Sequence, residues 1–449
     1  MPHKYAHLVA VNMGYGHERP AYALRELSGG EIIVANDYPG IPAEDRALWE
    51  QGRKYYETVS RLQPMPVIGK TLFHALVDHQ QEIAPFYPRR DLSDVSFQLK
   101  LIRHAIVARN QGRHLIEMLE RENEHHARPL PFVTTFFAPA FMAEEFGYSG
   151  EIYCLATDAD IARVWAHWNP KKSRIKYFAP NGRCVERLVL YGVPRGNIYL
   201  TGFALPKELV GGEASRALKH DLGVRMANLD PNGYYRHRHG ATLARHLGPH
   251  FHEQQTRPIT IAFAVGGAGA QKRAAVQLLT SLHRRIKRKE LRLLLIAGTR
   301  REVAQFFEKE IVAQRMHREA KRGAVSILYR QSRREYFEAF TDAMRVTDVL
   351  WTKPSELSFY TGVGIPIIMT DPIGSQEVFN RQWLQQIGGG IDQLDPAHAD
   401  EWLWDWVQSG ALARMAWNGY IEAPTHGTYR IESIVRGKPT QLEPHPLVV

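Results

Sequence analysis

Short apolar, β-branched segments alternate with longer amphipathic segments along most of the chain. The first set comprises His7 to Val11, Glu31 to Ala35, Phe132 to Thr135, Ile152 to Ala156, Lys176 to Ala179 and Ile198 to Thr201. The second set comprises Ile259 to Val265, Leu293 to Ala297, Val325 to Tyr329, Val349 to Thr352 and Ile367 to Thr370. Strands that alternate with helices are typical of parallel sheets with crossover helices. The pattern predicts an α/β protein with two doubly wound, Rossmann-like domains.

The stretch between the two sets, from Pro206 to Pro258, has no clear strand signals and is predicted to separate the domains. We expect an N-terminal domain over residues 1–206, with a mostly helical insertion at 38–124, and a C-terminal domain over residues 258–405. Residues 207–257 hold six histidines mixed with arginines, a composition that indicates a solvated basic hairpin more than a metal site. Tryptophans near the C-terminal end predict a terminal helix that packs onto an apolar surface.

Composition narrows the classes of function. The 449 residues carry a net charge of +10, which favours an anionic partner such as nucleotide phosphates, nucleic acid or an acidic membrane surface. Two cysteines without CxxC spacing argue against a disulfide scaffold and a structural zinc site, and they favour a cytoplasmic compartment. The amino terminus does not resemble a signal peptide, and no uncharged stretch is long enough to span a bilayer.

Two glycine-rich loops each follow a predicted strand and precede a predicted helix. The first contains Gly14, Tyr15 and Gly16, and the second contains Gly266, Gly267, Ala268 and Gly269. Glycine lets backbone amides approach a ligand closely, and the helix dipole there favours a diphosphate without an obligatory metal. Close strand–helix packing is the alternative reason for small residues at such turns. A dinucleotide fingerprint is incomplete because Arg19 occupies the position of its third glycine.

His17 lies immediately inside the first loop. An imidazole at that position could take a proton from a bound hydroxyl near neutral pH. The residue types alone are equally consistent with a structural histidine.

The most informative stretch is Asp348 to Asn380, which contains Lys353, the turn Pro354 to Leu357, Gly364-Ile365-Pro366, and then Gln376, Glu377 and Asn380. This order resembles the donor-nucleotide segment of GT-B glycosyltransferases of the MurG and monogalactosyldiacylglycerol synthase type. The two glycine loops and the segment through Thr157, Asp158 and Trp165 resemble the same family. The turn after Lys353 is about two residues shorter than the family pattern, so Glu356 would replace the usual glutamate.

The resemblance implies two Rossmann-like domains that face a cleft, with residues 406–449 crossing back to the first domain. The C-terminal domain would bind a nucleotide sugar through the amides of Gly266, Gly267, Ala268 and Gly269. Glu356 would accept hydrogen bonds from the ribose hydroxyls, and Gln376 and Glu377 would bind the sugar hydroxyls. Lys353, Ser355 and Asn380 would also contact the donor. The N-terminal domain would bring the acceptor to the loop Gly14 to Gly16, with His17 as the base of an inverting displacement and Asp158 orienting or replacing it.

The implied function is a glycosyltransferase that moves a sugar, expected to be UDP-linked, to a lipid or small-molecule hydroxyl without a metal or a separate cofactor. The insertion mixes basic and aromatic residues as a peripheral element on the inner face of a membrane would, and it would also suit simple packing. A nucleotide-sugar 2-epimerase and a non-catalytic nucleotide-sugar-binding protein remain alternatives. No nucleic-acid partner is expected because no RNP, KH or zinc-finger pattern occurs.

Overall fold

A computed structural model of the chain describes residues 3–62, 83–265, 271–372 and 374–438. The described residues form two compact units. Unit 1 takes the described residues of Met1–Leu205, Ile373–Asn380 and His426–Val449, and unit 2 takes those of Pro206–Pro372 and Arg381–Thr425. The helix that begins at Ser375 therefore starts in unit 1 and continues into unit 2.

Unit 1 contains a parallel sheet in the order β2-β1-β3-β4-β5-β6. Its described strands are β1 (His7–Ala10), β2 (Ile33–Val34), β3 (Phe132–Thr134), β4 (Ile152–Leu155), β5 (Lys176–Ala179) and β6 (Ile198–Leu200). Strands β1, β3 and β4 are buried along their whole length, which explains their continuous apolar sequences. The chain reverses direction across the sheet between β1 and β3, which makes their carboxyl ends the switch point where such folds bind ligands.

Unit 2 contains a second parallel sheet in the order β12-β11-β10-β7-β8-β9. Its described strands are β7 (Ile259–Ala264), β8 (Leu291–Gly298), β9 (Val325–Tyr329), β10 (Val349–Thr352), β11 (Ile367–Met369) and β12 (Gly390–Asp392). The order is that of a dinucleotide-binding Rossmann fold, with its switch point between β7 and β10. The prediction of two doubly wound, Rossmann-like units is confirmed, although the sequence pattern missed the short strand β12.

Helices connect these strands. The described α-helices of unit 1 up to the end of its sheet are α1 (Tyr15–Ala23), α2 (Ala43–Leu62), α3 (Phe97–Arg103), α4 (Arg113–Asn123), α5 (Phe137–Glu145) and α6 (Gly182–Leu190). A π-helical turn covers His104–Ala108, and short 3-10 helices cover Arg25–Ser28, Arg163–Trp165 and Arg195–Asn197. The described part of the predicted insertion 38–124 contains α2, α3, the π-helical turn and α4, but its residues 83–96 form no helix. Residues 63–82 lie outside the described residues.

The helices that follow Leu205 are α7 (Lys207–Val210), α8 (Arg216–Asn228), α9 (Tyr234–Leu247), α10 (Lys272–Ser281), α11 (His283–Lys287), α12 (Arg301–Ala313), α13 (His317–Lys321), α14 (Arg333–Val346), α15 (Ser375–Gln386), α16 (Ala399–Gln408), α17 (Ala411–Glu422) and α18 (Gly427–Val435). Short 3-10 helices cover Gly248–His250, Glu356–Val363 and Pro396–His398. Across the described ranges, no helix is both long enough and apolar enough to cross a membrane.

The predicted basic hairpin at 207–257 is wrong, because these residues form helices α7, α8 and α9 within unit 2. The carboxylate of Asp230 accepts the backbone N–H groups of Tyr235 and Arg236 and so caps the first turn of α9. Leu243 and Leu247, four residues apart, are buried on one face of that helix. The turn-like sequence around Asp230 is thus the start of a helix.

The tryptophan-rich helix α16 belongs to unit 2. The Trp402 ring lies 5.2 Å from that of Trp351 on strand β10, and the Arg285 guanidinium lies 3.9 Å from the ring of Trp404. The expectation that residues 406–449 cross back to the first domain is therefore wrong for residues 406–425, which belong to unit 2. Only the described residues from His426 onward, which include α18, are grouped with unit 1.

Candidate functional site

His17 lies at the switch point of the first sheet. Strand β1 ends at Ala10, and Gly14, with a φ of 110°, leads the chain into helix α1, where His17 is the third residue. Thr135 directly follows the neighbouring strand β3, and its hydroxyl donates to the carbonyl oxygen of His17. The first glycine loop thus places an imidazole at the edge of the sheet where parallel α/β folds bind ligands.

The hydrogen bonds of His17 define its tautomer. Its Nδ1 atom lies 3.0 Å from the carbonyl oxygen of Thr135 and 3.3 Å from the hydroxyl of Thr157. A carbonyl oxygen only accepts, so Nδ1 carries the proton, and in the neutral ring the lone pair is on Nε2. Nε2 is therefore the atom of His17 that can take up a proton.

Aromatic rings surround this imidazole. The centroid of the His17 ring lies 4.7 Å from that of Phe136, which packs edge to face, and 6.2 Å from that of Trp165. Phe137 contacts both Phe136 and Trp165, so the rings form one packed group. Packing of this kind fixes the orientation of the imidazole, as a positioned acid–base group requires.

Asp158 follows β4 and is bonded to Asn380 within unit 1. The side-chain amide of Asn380 donates to Asp158 Oδ1 at 3.0 Å, and Asn380 Oδ1 accepts the N–H of Ala159 at 2.7 Å. Asn380 is fully buried and Asp158 is half-buried. Asp158 and Asn380, which were predicted from separate motifs, are therefore in direct contact. In this segment the side chain that contacts His17 Nδ1 is that of Thr157, the residue before Asp158.

A buried ion pair joins the loop after β4 to helix α6. Arg187 on helix α6 donates to both carboxylate oxygens of Asp160, at 2.8 and 2.7 Å. Burial alone would lower the pKa of Arg187, but its bonds to Asp160 raise that pKa above its ordinary value. The pair fixes the segment after β4 to a helix of the same unit.

Lys353, Ser355 and Glu356 lie at the switch point of the second sheet. They directly follow β10, whose neighbour β7 leads to the second glycine loop. Glu356 begins a 3-10 helix and is 9% exposed, while Lys353 and Ser355 are half-buried. Gly266, Gly267, Ala268 and Gly269 lie outside the described residues. The three described residues of the predicted nucleotide site thus meet at one sheet edge.

Sequence reasoning missed Arg300 and Gln271 at that edge. Arg300 follows strand β8, and its guanidinium donates to the carbonyl of Val265, the last described residue before the glycine loop, at 2.9 Å. Gln271, the first described residue after the loop, donates through its side chain to the hydroxyl of Thr370 at 3.1 Å. Two features of the sequence could have pointed to them: Arg300 comes soon after β8, and Gln271 follows the glycine loop. The carboxyl ends of parallel strands meet at one edge of a sheet, so both residues were candidates for that edge.

Gln376 and Glu377 lie in the first turn of α15, both half-buried. The structure groups them and Asn380 with unit 1, so the prediction that all three belong to the C-terminal domain is wrong. The physical reason is that Asn380, one turn further along the same helix, bonds to Asp158 and Ala159 of unit 1.

Both cysteines are buried in unit 1. Burial raises the pKa of the thiols of Cys154 and Cys184, so both are protonated at neutral pH. Within the described ranges, no group of three or more histidine, cysteine, aspartate or glutamate side chains is arranged to hold a metal ion.

Residues 251–430 match the family described as Domain of unknown function (DUF6938). No curated protein matches the chain. Solved structures that are similar include MurG of Acinetobacter baumannii, with 13% identity over 96% of this chain and 99% of that one and a TM-score of 0.46. The glycotransferase of kitacinnamycin has 12% identity over 98% and 100% of the two chains and a TM-score of 0.45.

S. aureus MnaA, solved with UDP, has 11% identity over 73% of this chain and 78% of that one, with a TM-score of 0.44.

Proposed function

We propose that the protein is a metal-independent glycosyltransferase that moves a sugar from a nucleoside-diphosphate donor, UDP-linked, to the hydroxyl of a lipid or small molecule. The observation that carries this proposal is the tautomer of His17. Its Nδ1–H is directed to the carbonyl of Thr135, so the lone pair of Nε2 serves as the base at the switch point of unit 1.

The proposed step is a single displacement. Nε2 of His17 takes the proton of the acceptor hydroxyl as its oxygen attacks the anomeric carbon of the sugar. The bond from that carbon to the diphosphate breaks, the nucleoside diphosphate leaves, and the anomeric configuration inverts. Gly14, Tyr15 and Gly16 precede His17 in the same loop and helix start, so they would contact the acceptor. Asp158, bonded to Asn380, would orient the reacting groups.

The donor is assigned to the edge of the second sheet. Glu356 would accept hydrogen bonds from the ribose hydroxyls, for which a carboxylate has the right acceptor geometry. Lys353 and Ser355, together with the amides of Gly266 to Gly269, would bind the diphosphate. Arg300, which bonds to the carbonyl just before the glycine loop, would add positive charge there.

Gln376 and Glu377 would bind the sugar hydroxyls. They lie in the first turn of the helix whose Asn380 is bonded to Asp158, the residue after Thr157, so these side chains belong to the unit that holds His17. Amide and carboxylate groups suit sugars because vicinal hydroxyls donate to them in pairs.

Exposed apolar side chains in the insertion support a lipid acceptor at a membrane surface. Phe97 and Leu101, four residues apart on α3, are 52% and 48% exposed, and Tyr87 is 63% exposed. Lys100 lies between the first two. A basic and apolar face of this kind binds the interface of an anionic membrane.

The test of the base is a His17→Gln variant, assayed by mass spectrometry for diphosphate release and sugar transfer from a panel of nucleotide sugars. We expect transfer to fall about 100-fold or more, the usual contribution of a general base, while the affinity for the diphosphate stays within twofold. His125→Gln, an exposed histidine of the same unit, is the matched control and should retain full activity.

The same assay separates the alternatives. Conversion of the donor sugar without an acceptor would identify a 2-epimerase. Diphosphate binding with no turnover in either wild type or variant would identify a binding protein. Equal transfer by wild type and His17→Gln would remove His17 as the base.

A further inference from the structure

A polar cavity in unit 1 is lined by none of the residues assigned above. Its volume is about 400 Å³, and it is lined by residues of the loop before β5, the end of α5 and the end of α3. Two of the lining residues are the exposed cations Arg103 and Lys172. The proposed transfer reaction uses none of these residues.

His167 is one of the lining residues, and its ring carries a buried donor that no described residue accepts. The backbone N–H of Asn169 donates to its Nδ1 at 3.2 Å, so in the neutral ring the proton is on Nε2. Burial lowers the pKa of this imidazole, which keeps it neutral at pH 7. The side chain is 6% exposed, and its Nε2 has no hydrogen-bond partner among the described residues. A buried donor without a partner is costly, and a ligand acceptor would satisfy it.

The carboxylate of Glu144, which also lines the cavity, is already bonded by protein donors. Its Oε2 accepts the hydroxyl of Ser173, and its Oε1 accepts the N–H of Arg174 at 3.1 Å. Arg163, whose guanidinium donates to the carbonyl of His167, adds a further positive charge close by. Cations therefore outnumber carboxylates around the cavity.

The aromatic side chains are fixed in place. Phe141 packs edge to face on the rings of both His167 and Trp168, with centroids 5.3 and 5.5 Å away. Arg103 is followed directly by the π-helical turn His104–Ala108, and such turns are frequent at functional sites. The half-buried Trp168 supplies an apolar surface beside the cations.

We propose that this cavity binds the phosphate group of a phosphoester, which Arg103 and Lys172 hold by charge and His167 Nε2–H by a hydrogen bond, with the organic part against Trp168. Two cations match the charge of a phosphomonoester at neutral pH, whereas a carboxylate carries a single charge. The phosphate could belong to a soluble ester or to a lipid headgroup. This site is separate from the proposed nucleotide-sugar site and does not depend on it.

The test compares wild type with the double variant Arg103→Gln/Lys172→Gln, the variant His167→Phe and the control Lys171→Gln. Lys171 is an exposed lysine that does not line the cavity. Phenyl phosphate is titrated calorimetrically, with and without saturating UDP, and binding to phosphatidic acid vesicles is measured by sedimentation. We expect the double variant and His167→Phe each to lose about tenfold or more in affinity, and Lys171→Gln to match wild type.

The probes identify the source of the phosphate. Saturable binding of phenyl phosphate that the cavity variants weaken indicates a soluble ester, and variant-sensitive binding to vesicles alone indicates a lipid headgroup. Both results support the cavity. Absence of binding to either probe, or equal binding by all variants, overturns the proposal. Circular dichroism confirms that each variant is folded.

Discussion

The position of one proton on His17 decides what the ring can do. Because Nδ1 is directed to the carbonyl of Thr135, a neutral His17 presents Nε2 as a base. The hydroxyl of Thr157 at 3.3 Å and the packed ring of Phe136 hold the same orientation. These contacts fix the ring in the orientation that the proposed role as a base requires.

Asn380 is the position where an introduced negative charge should matter most, because its side chain is buried against the carboxylate of Asp158. Asn380→Asp would place two carboxylates together, which raises the pKa of one above its unfolded value. The resulting loss of stability is present at pH 7.5 and relieved as the pH falls through that raised pKa. We expect a loss of about 1–3 kcal/mol at pH 7.5, measured by urea unfolding, and a much smaller loss at pH 5.

Gln376→Glu is the matched control for Asn380→Asp. It makes the same charge change four residues earlier on α15, at a half-buried position. We expect little change in stability at either pH. If Asn380→Asp behaved like this control, the contact with Asp158 would not hold in solution.

At single positions, sequence reasoning singled out His17, Asp158 and Asn380, which the structure places in unit 1, but not Thr135, whose carbonyl contacts His17. The first three stand in glycine loops or in motifs that resemble a known family. Thr135 acts through its backbone carbonyl, and a carbonyl has no signature in the sequence. Its place after β3 becomes informative only once β3 is known to lie beside β1.

At the scale of elements, the start of helix α1 depends on backbone conformation. Gly14 has a φ of 110° and a ψ of 172°, values that residues with a side chain rarely adopt. Among the described residues, no atom beyond the two chain neighbours lies within 4 Å of a Cβ added there. The requirement for glycine is therefore conformational and not steric.

Gly14→Ala should consequently lower the free energy of unfolding by about 1–3 kcal/mol and displace His17. Gly52→Ala is the matched control, because a Cβ there also meets open space but the residue lies inside helix α2. We expect it to stabilise by about 0.5–1 kcal/mol. Chemical denaturation of both variants measures the difference, and equal stabilities would refute the conformational role of Gly14.

The ion pair between Asp160 and Arg187 joins the loop after β4 to helix α6. Arg187→Met leaves a buried carboxylate without its cation and should cost about 3–5 kcal/mol. Arg89→Met removes the exposed pair with Glu186 on the same helix and should cost at most about 1 kcal/mol. Urea unfolding of the two variants distinguishes them; a small effect at Arg187 would mean that the loop is anchored elsewhere.

The sequence pattern located most strands but not the segment 207–257. Buried parallel strands have continuous apolar sequences that stand out, as in β3 and β4. The polar helix α9 buries Leu243 and Leu247 as its apolar contacts, so its periodicity is weak. Strand β12 has three residues, too few to show a period.

At the scale of the molecule, two Rossmann-like units each place predicted residues at the switch point of their sheet. His17 lies between β1 and β3, and Lys353 to Glu356 follow β10 beside β7. The fold class was predictable because it follows from the order of strands and helices. The grouping of Gln376, Glu377 and Asn380 with unit 1 was not, because Asn380 bonds to Asp158 and Ala159, which lie 222 and 221 positions earlier in the chain.

We propose that the protein binds a nucleoside diphosphate at the carboxyl edge of its second sheet without a metal. The most direct measurement is a calorimetric titration with UDP, GDP, ADP and dTDP, with and without magnesium, for wild type, Glu356→Gln and the exposed control Glu308→Gln. We predict micromolar binding of UDP that magnesium does not alter and that Glu356→Gln alone weakens about tenfold. If none of the four diphosphates bound, or if Glu356→Gln and Glu308→Gln bound UDP equally well, the assignment of the donor site would be contradicted.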